Sequence, residues 1–188
     1  MELDTAFIKA WPFGVLKTIQ WVSALAAPIT IHVGPFIYSS VGFVIFICWI
    51  FFLQTFISWI CHLLGLQKRV FPFGQGIVFI PFAMIDFITA ILATAGFGVS
   101  ALICLVAMID YRTSYQVALI ITYLFAATFC GIAAAAYAYF AILLYRACPN
   151  GQLPNLMTMV VEGTHVSTLT NAPPPDAAPQ HANFKSMI

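Results

Sequence analysis

Residues 77–108 form one unbroken apolar run with a single charge, Asp86, inside it. The hydrocarbon core of a bilayer needs about 20 consecutive apolar residues of helix to cross it, so this stretch has length to spare. Its side chains are unevenly spread. Asp86, Thr89, Ala93, Gly96 and Ser100 recur at steps of three and four, the spacing of one helical face. That face is small and polar. A second small row, Ala90, Thr94 and Gly98, runs beside it, and the bulky Ile88, Ile91, Leu92, Val99, Leu102 and Ile103 fall mostly elsewhere. In lipid, helices associate by close van der Waals approach and polar contacts, so a small face marks a helix–helix interface. The neighbouring helices are therefore expected to pack on this one through Ala93, Gly96 and Ser100.

Three further apolar runs accompany it. Of the 188 residues 62% are hydrophobic and 7% charged, against about 25% charged in a soluble domain. A water-soluble fold has no interior large enough for that apolar surface. The expected fold is an all-α membrane protein, a four-transmembrane-helix antiparallel bundle with helices at about 12–31, 41–64, 77–108 and 115–144. It is preceded by a short N-terminal segment, 1–11, and followed by a disordered C-terminal tail, 147–188. In the first span Pro12 suits an opening turn, Lys17, Gln20 and Ser23 are polar, and Pro28 is expected to kink or end the helix. The second span carries Phe43, Phe46, Trp49, Phe51, Phe52, Phe56 and Trp59 and reads as bulky on all sides, with much of its surface toward lipid. Trp59 and His62 near its end read as interfacial residues. In the fourth span Ala127, Gly131 and Ala135 make a small-xxx-small row, the natural partner for the small face of the third. Pro149, Pro154, residues 173–175 and Pro179 argue against long helices in the tail, where 156–161 is a mildly apolar patch.

The charges set an orientation. Lys9, Lys17, Lys68, Arg69 and Arg146 flank one side of a four-pass arrangement, and Arg112 beside Asp110 is all that the opposite loops offer. The positive-inside rule then puts both termini in the cytoplasm. Glu2 and Asp4 ahead of Lys9 make a poor signal-peptide n-region, so the first span is expected to remain as an anchor. Seven Lys and Arg in no basic stripe, at net charge +1, give no nucleic-acid surface. The five cysteines, Cys48, Cys61, Cys104, Cys130 and Cys148, contain no CxxC pair and no disulfide framework.

Asp86 is the first residue to weigh for chemistry, because an ionisable group within a span costs a few kcal/mol and is a functional candidate by default. Lys17 lies a similar short distance inside the first span, entered from the same side, so a Lys17–Asp86 ion pair is geometrically sensible. Such a pair fixes helix packing. The four histidines, His32, His62, His165 and His181, show no metal-ligand spacing, and no cofactor is expected. Ser100 has no histidine at its depth to serve as a base, and no other catalytic constellation occurs. Cys148, directly after the fourth span, is a candidate for S-palmitoylation. The chain ends Lys185-Ser186-Met187-Ile188, and a hydroxyl two before a terminal aliphatic residue is the ending that PDZ-type domains take as an added strand.

Leu16-Lys17-Thr18-Ile19-Gln20 opening the first span, Ile85-Asp86-Phe87-Ile88 early in the third and Ala133-Ala134-Ala135-Ala136-Tyr137 late in the fourth, with very short outer loops, resemble the MARVEL domain. This is the four-pass module of myelin-and-lymphocyte, plasmolipin, chemokine-like-factor transmembrane, physin and occludin-type proteins. The likeness covers residues 12–146 and is closest to the compact members. It implies a non-enzymatic protein that organises membrane domains, trafficking or junctions, at the plasma membrane or a vesicle membrane. The partners expected are membrane lipids, further copies of the chain and, from the ending of the tail, a PDZ-type or trafficking protein. The other class of function open to this sequence is an auxiliary subunit of a channel or transporter, or a small ion or proton pathway using Asp86.

Overall fold

The structure, a computed structural model, describes the backbone at residues 4–34, 39–68, 70–73, 76–112, 117–169 and 184–186. Helices α1 (Ala6–Lys9), α2 (Phe13–Val33), α3 (Val41–Leu63), α4 (Phe82–Arg112) and α5 (Val117–Ala147) follow one another in the chain. The last four are long and apolar enough to cross a membrane, and the protein is a multi-pass integral membrane protein. α4 and α5 make the most extensive contact, and α2 packs on α3 and α5, α3 on α2 and α4. Antiparallel neighbours therefore enclose a core, with α2 diagonal to α4 and α3 diagonal to α5.

One spacing builds all four faces. On α4 the buried row is Ala83, Asp86, Ala90, Ala93, Phe97, Ser100, Cys104 and Ala107, and on α5 it is Leu119, Tyr123, Ala126, Cys130, Ala133, Tyr137, Phe140 and Leu144. Steps of three and four alternate without a break, a period of 3.5 residues, the seam of left-handed helix packing. On α3 the row is Val41, Val44, Cys48, Thr55, Ser58 and His62, with half-buried Phe51 completing it. This corrects the expectation that α3 has no small face: its inner side is mostly small and polar, Phe43, Phe46 and Trp49 point outward, and Phe56 and Trp59 pack on Trp21 of α2.

The same seam sorts the small residues. Ala93, Ser100 and Ala127 are buried, and a Cβ at Gly96 would lie 3.2 Å from Ile47 Cγ2 of α3. Gly131 and Ala135, expected at the interface, are exposed, and a Cβ on Gly131 would meet nothing within 4 Å. Their row drifts off the seam, which runs through Cys130, Ala133 and Tyr137 instead.

Two helix boundaries also differ from expectation. α4 starts at Phe82, because strands β1 (Val70–Phe73) and β2 (Gly76–Phe79) pair as an antiparallel hairpin before it. Pro81 restricts the residue ahead of it to extended backbone and then opens the helix. Pro28 does not end α2, which continues to Val33. Among the groups nearby, His32 Nδ1 lies 2.7 Å from the Pro28 carbonyl oxygen and donates to it.

The expected boundary of the disordered tail moves. After α5 come 3-10 turns at Pro149–Gly151 and Leu153–Thr158, then strands β3 (Met159–Val161) and β4 (Val166–Leu169) in an antiparallel hairpin, with β5 (Phe184–Ser186) paired to β4. Leu156, Met159, Val160 and Val161 are 0–1% exposed. The mildly apolar patch is thus the part of the tail that packs on the bundle, whose termini-bearing end it covers. The disorder expected over 170–183 and 187–188 lies outside the described residues.

Candidate functional site

The polar side chains of the four spans gather in one layer near the termini-bearing end. Lys17 lies four residues into α2 and Asp86 four residues into α4, about 6 Å along each axis. Both project across the bundle, and Lys17 Nζ meets Asp86 Oδ1 at 2.7 Å. Ser58 of α3 sits between them: its hydroxyl accepts from Lys17 Nζ at 2.5 Å and donates to Asp86 Oδ1 at 2.7 Å. The face of the Phe140 ring on α5 lies 5.5 Å from the ammonium. All four spans therefore contribute, and the pair joins the diagonal helices α2 and α4. Lys17 is 2% exposed, Asp86 4% and Ser58 6%. A charge pair this deep holds only when its remaining hydrogen-bonding capacity is met; Ser58 meets part of it, on the Asp86 Oδ1 side.

His62, read from sequence as interfacial, is fully buried. Its Nδ1 lies 2.8 Å from the Ser58 carbonyl oxygen, so Nδ1 carries the proton and donates. Its Nε2 then faces Asp86 Oδ2 at 3.7 Å, and neither atom has a hydrogen-bond partner among the described residues. Phe7 of α1 stacks on the imidazole, ring centroids 5.2 Å apart, and Phe82 meets it edge-on at 5.9 Å.

One turn deeper, Thr55 of α3 and Tyr137 of α5 join the other diagonal, hydroxyl to hydroxyl at 2.5 Å. Beyond them Phe97 stacks on Tyr137 at 5.7 Å, with Phe51 5.9 Å from Phe97. These rings fill the axis. Cys48, Cys104 and Cys130 follow, each 0% exposed.

The lid at the other side comes from both chain ends. The Asp4 amide donates to the Leu63 carbonyl at 2.9 Å, and the Gly163 carbonyl accepts from the Phe13 amide at 2.8 Å. No side chain caps α2, so the turn of the β3–β4 hairpin meets a need that every helix N-terminus has. Lys68 Nζ and Glu162 Oε1 lie 3.7 Å apart, and His165 Nε2 is 2.9 Å from Glu162 Oε2, which fixes the turn.

The remaining candidates are not part of this layer. Cys148, proposed above for palmitoylation, is 7% exposed, and burial raises its thiol pKa; both oppose acylation of the folded chain. Ser186 is paired with Ser167 in the β4–β5 ladder, where β5 is the edge strand; Ile188 lies outside the described residues. No group of three or more metal-ligating side chains occurs among the described residues. Sequence reading missed Ser58, His62 and Thr55. Their signal was the seam on α3, where steps of three and four place all three on one face at the depth of Lys17 and Asp86.

No family model, curated protein or solved structure was found to match the chain.

Proposed function

We propose that this chain is a non-enzymatic four-pass membrane protein of the MARVEL type, which organises membrane domains or trafficking with both termini in the cytoplasm. The observation that supports this reading best is the confinement of the buried charges. Lys17, Ser58 and Asp86 Oδ1 bond one another in one layer. Phe51, Phe97 and Tyr137 plug the axis on one side, and α1 and the hairpin turn close the other. A transport path needs polar groups along its length; here the polar layer serves cohesion. What the protein offers to its surroundings is an apolar, aromatic-rich outer surface for lipid and other helices. Proximity labelling from the C-terminus in native membrane tests the reading. Enrichment of trafficking and membrane-scaffold proteins on the cytoplasmic side supports it; labelling of one channel at fixed stoichiometry, or on the outer side, overturns it.

A proton site is the second reading, and the unpartnered His62 Nε2 and Asp86 Oδ2 favour it. A proton on Nε2 would give that carboxylate oxygen its missing donor. Vesicles loaded with the protein and given a pH gradient decide between the two. Dissipation that is faster than in empty vesicles and abolished by Asp86→Asn supports the proton reading, and a rate equal to that of empty vesicles removes it.

A further inference from the structure

α3 carries a second row with the spacing of a helix seam, and it runs along the outer edge of the helix, beside α4. Phe43, Ile47, Ile50, Gln54, Ile57 and Cys61 follow one another at alternating steps of four and three. Phe43 is 44% exposed, Ile50 44% and Ile57 59%, and the other three are half-buried. Every member is apolar or weakly polar except Gln54, in the middle of the row. α3 runs from Val41 to Leu63, so Gln54 lies about 13 Å from the nearer helix end, deep in the hydrocarbon. Its carbonyl oxygen accepts from Thr55 Oγ1 at 3.5 Å. Its amide nitrogen has no acceptor among the described residues. Beside it a groove of about 160 Å³ opens between α3 and α4, lined by Gln54, Ile57, Ser58, Cys61, Phe82 and Ile85.

A carboxamide N–H without an acceptor is costly at this depth, and lipid tails have nothing to bond it. We propose that the outer row of α3 is a self-association surface, on which a second copy of this chain packs its own α3 in parallel, Gln54 against Gln54. Three features select a second copy. A carboxamide both donates and accepts, so two of them satisfy each other across a two-fold axis. A copy inserted in the same orientation brings its Gln54 to the same depth automatically. And a row at 3.5-residue spacing with one polar residue at its centre is the pattern that fixes register in paired helices. Ile47 of this row packs on Gly96 of α4, and Phe43, Ile50 and Ile57 are left exposed.

The chain carries its own reporter. Cys61 closes the row, one seven-residue repeat from Gln54, and it is the one cysteine of five that is not buried. In a parallel pair the two Cys61 thiols come together. Full-length protein in phosphatidylcholine vesicles is treated with copper–phenanthroline and run on a non-reducing gel. The expected product is a covalent dimer that Cys61→Ala abolishes and that Gln54→Leu reduces about tenfold, the size expected for interhelical polar contacts. Leucine suits a lipid-facing site, so Gln54→Leu should keep the wild-type unfolding temperature, and energy transfer between labelled copies gives the same comparison without cross-linking. Equal dimer yield in Gln54→Leu, or wild-type chains that remain monomeric as the protein-to-lipid ratio rises, would overturn the proposal; the latter leaves the groove to lipid.

Discussion

The Phe13 amide and the Gly163 carbonyl lie 2.8 Å apart, and this bond makes the C-terminal segment part of the transmembrane bundle. Gly163 turns the β3–β4 hairpin with φ at +80°, and a Cβ there would stand 2.7 Å from the Ala10 Cβ and 3.1 Å from Phe7 Cδ2. The turn thus presses on α1 while capping α2.

Gly163→Val should therefore loosen both contacts. The left-handed backbone alone costs a branched residue about 1–3 kcal/mol. The expected result is a lower unfolding temperature in detergent and faster proteolysis between α5 and the hairpin. Unchanged proteolysis would mean that the turn is not held against α2.

The small residues of α5 separate in the same way. Gly131→Leu places its side chain in open space on the lipid side and should change stability by less than about 1 kcal/mol. Ala133→Leu, two residues on at a position 0% exposed, should cost about 1–3 kcal/mol by overpacking the α4–α5 contact. Thermal unfolding of the two variants in the same micelle checks the contrast.

Much of this was legible in the sequence. Four spans, their antiparallel order and the proximity of Lys17 to Asp86 follow from apolar run length and from the depth of each charge. Gly131 and Ala135 were misplaced because a row of small residues at steps of four looks like an interface until the 3.5-residue seam fixes its phase. Ser58 and His62 were hidden by the aromatic residues of α3, which dominate its composition but, Phe51 apart, lie off the buried row. The start of α4 was read too early because Ile77, Val78 and Phe79 are as apolar as the helix that follows; only Pro81 separates them. The hairpin at 159–169 escaped because its strands are short, and because their burial depends on a helix end that no local pattern announces.

Cys148 offers a check on the closed end of the bundle. It is buried directly after α5, and burial raises its thiol pKa. A raised pKa lowers the thiolate fraction at any pH below it, so maleimide labelling of the folded protein should be slow at pH 7. It should climb with pH over a range above that of a free cysteine. Gly163→Val should speed it. Labelling of Cys148 as fast as that of Cys61 at pH 7 would show the end to be open.

The buried layer carries the whole bundle, and a double-mutant cycle on Lys17 and Asp86 probes it most directly. Removing one partner strands the other charge, which costs about 3–5 kcal/mol, while removing both leaves an apolar site of similar volume. Unfolding of wild type, Lys17→Met, Asp86→Leu and the double variant is measured in one detergent. The expected result is two strongly destabilised single variants and a double variant that recovers most of the loss. Losses that simply add, or single variants as stable as the wild type, would contradict a bundle held by this pair.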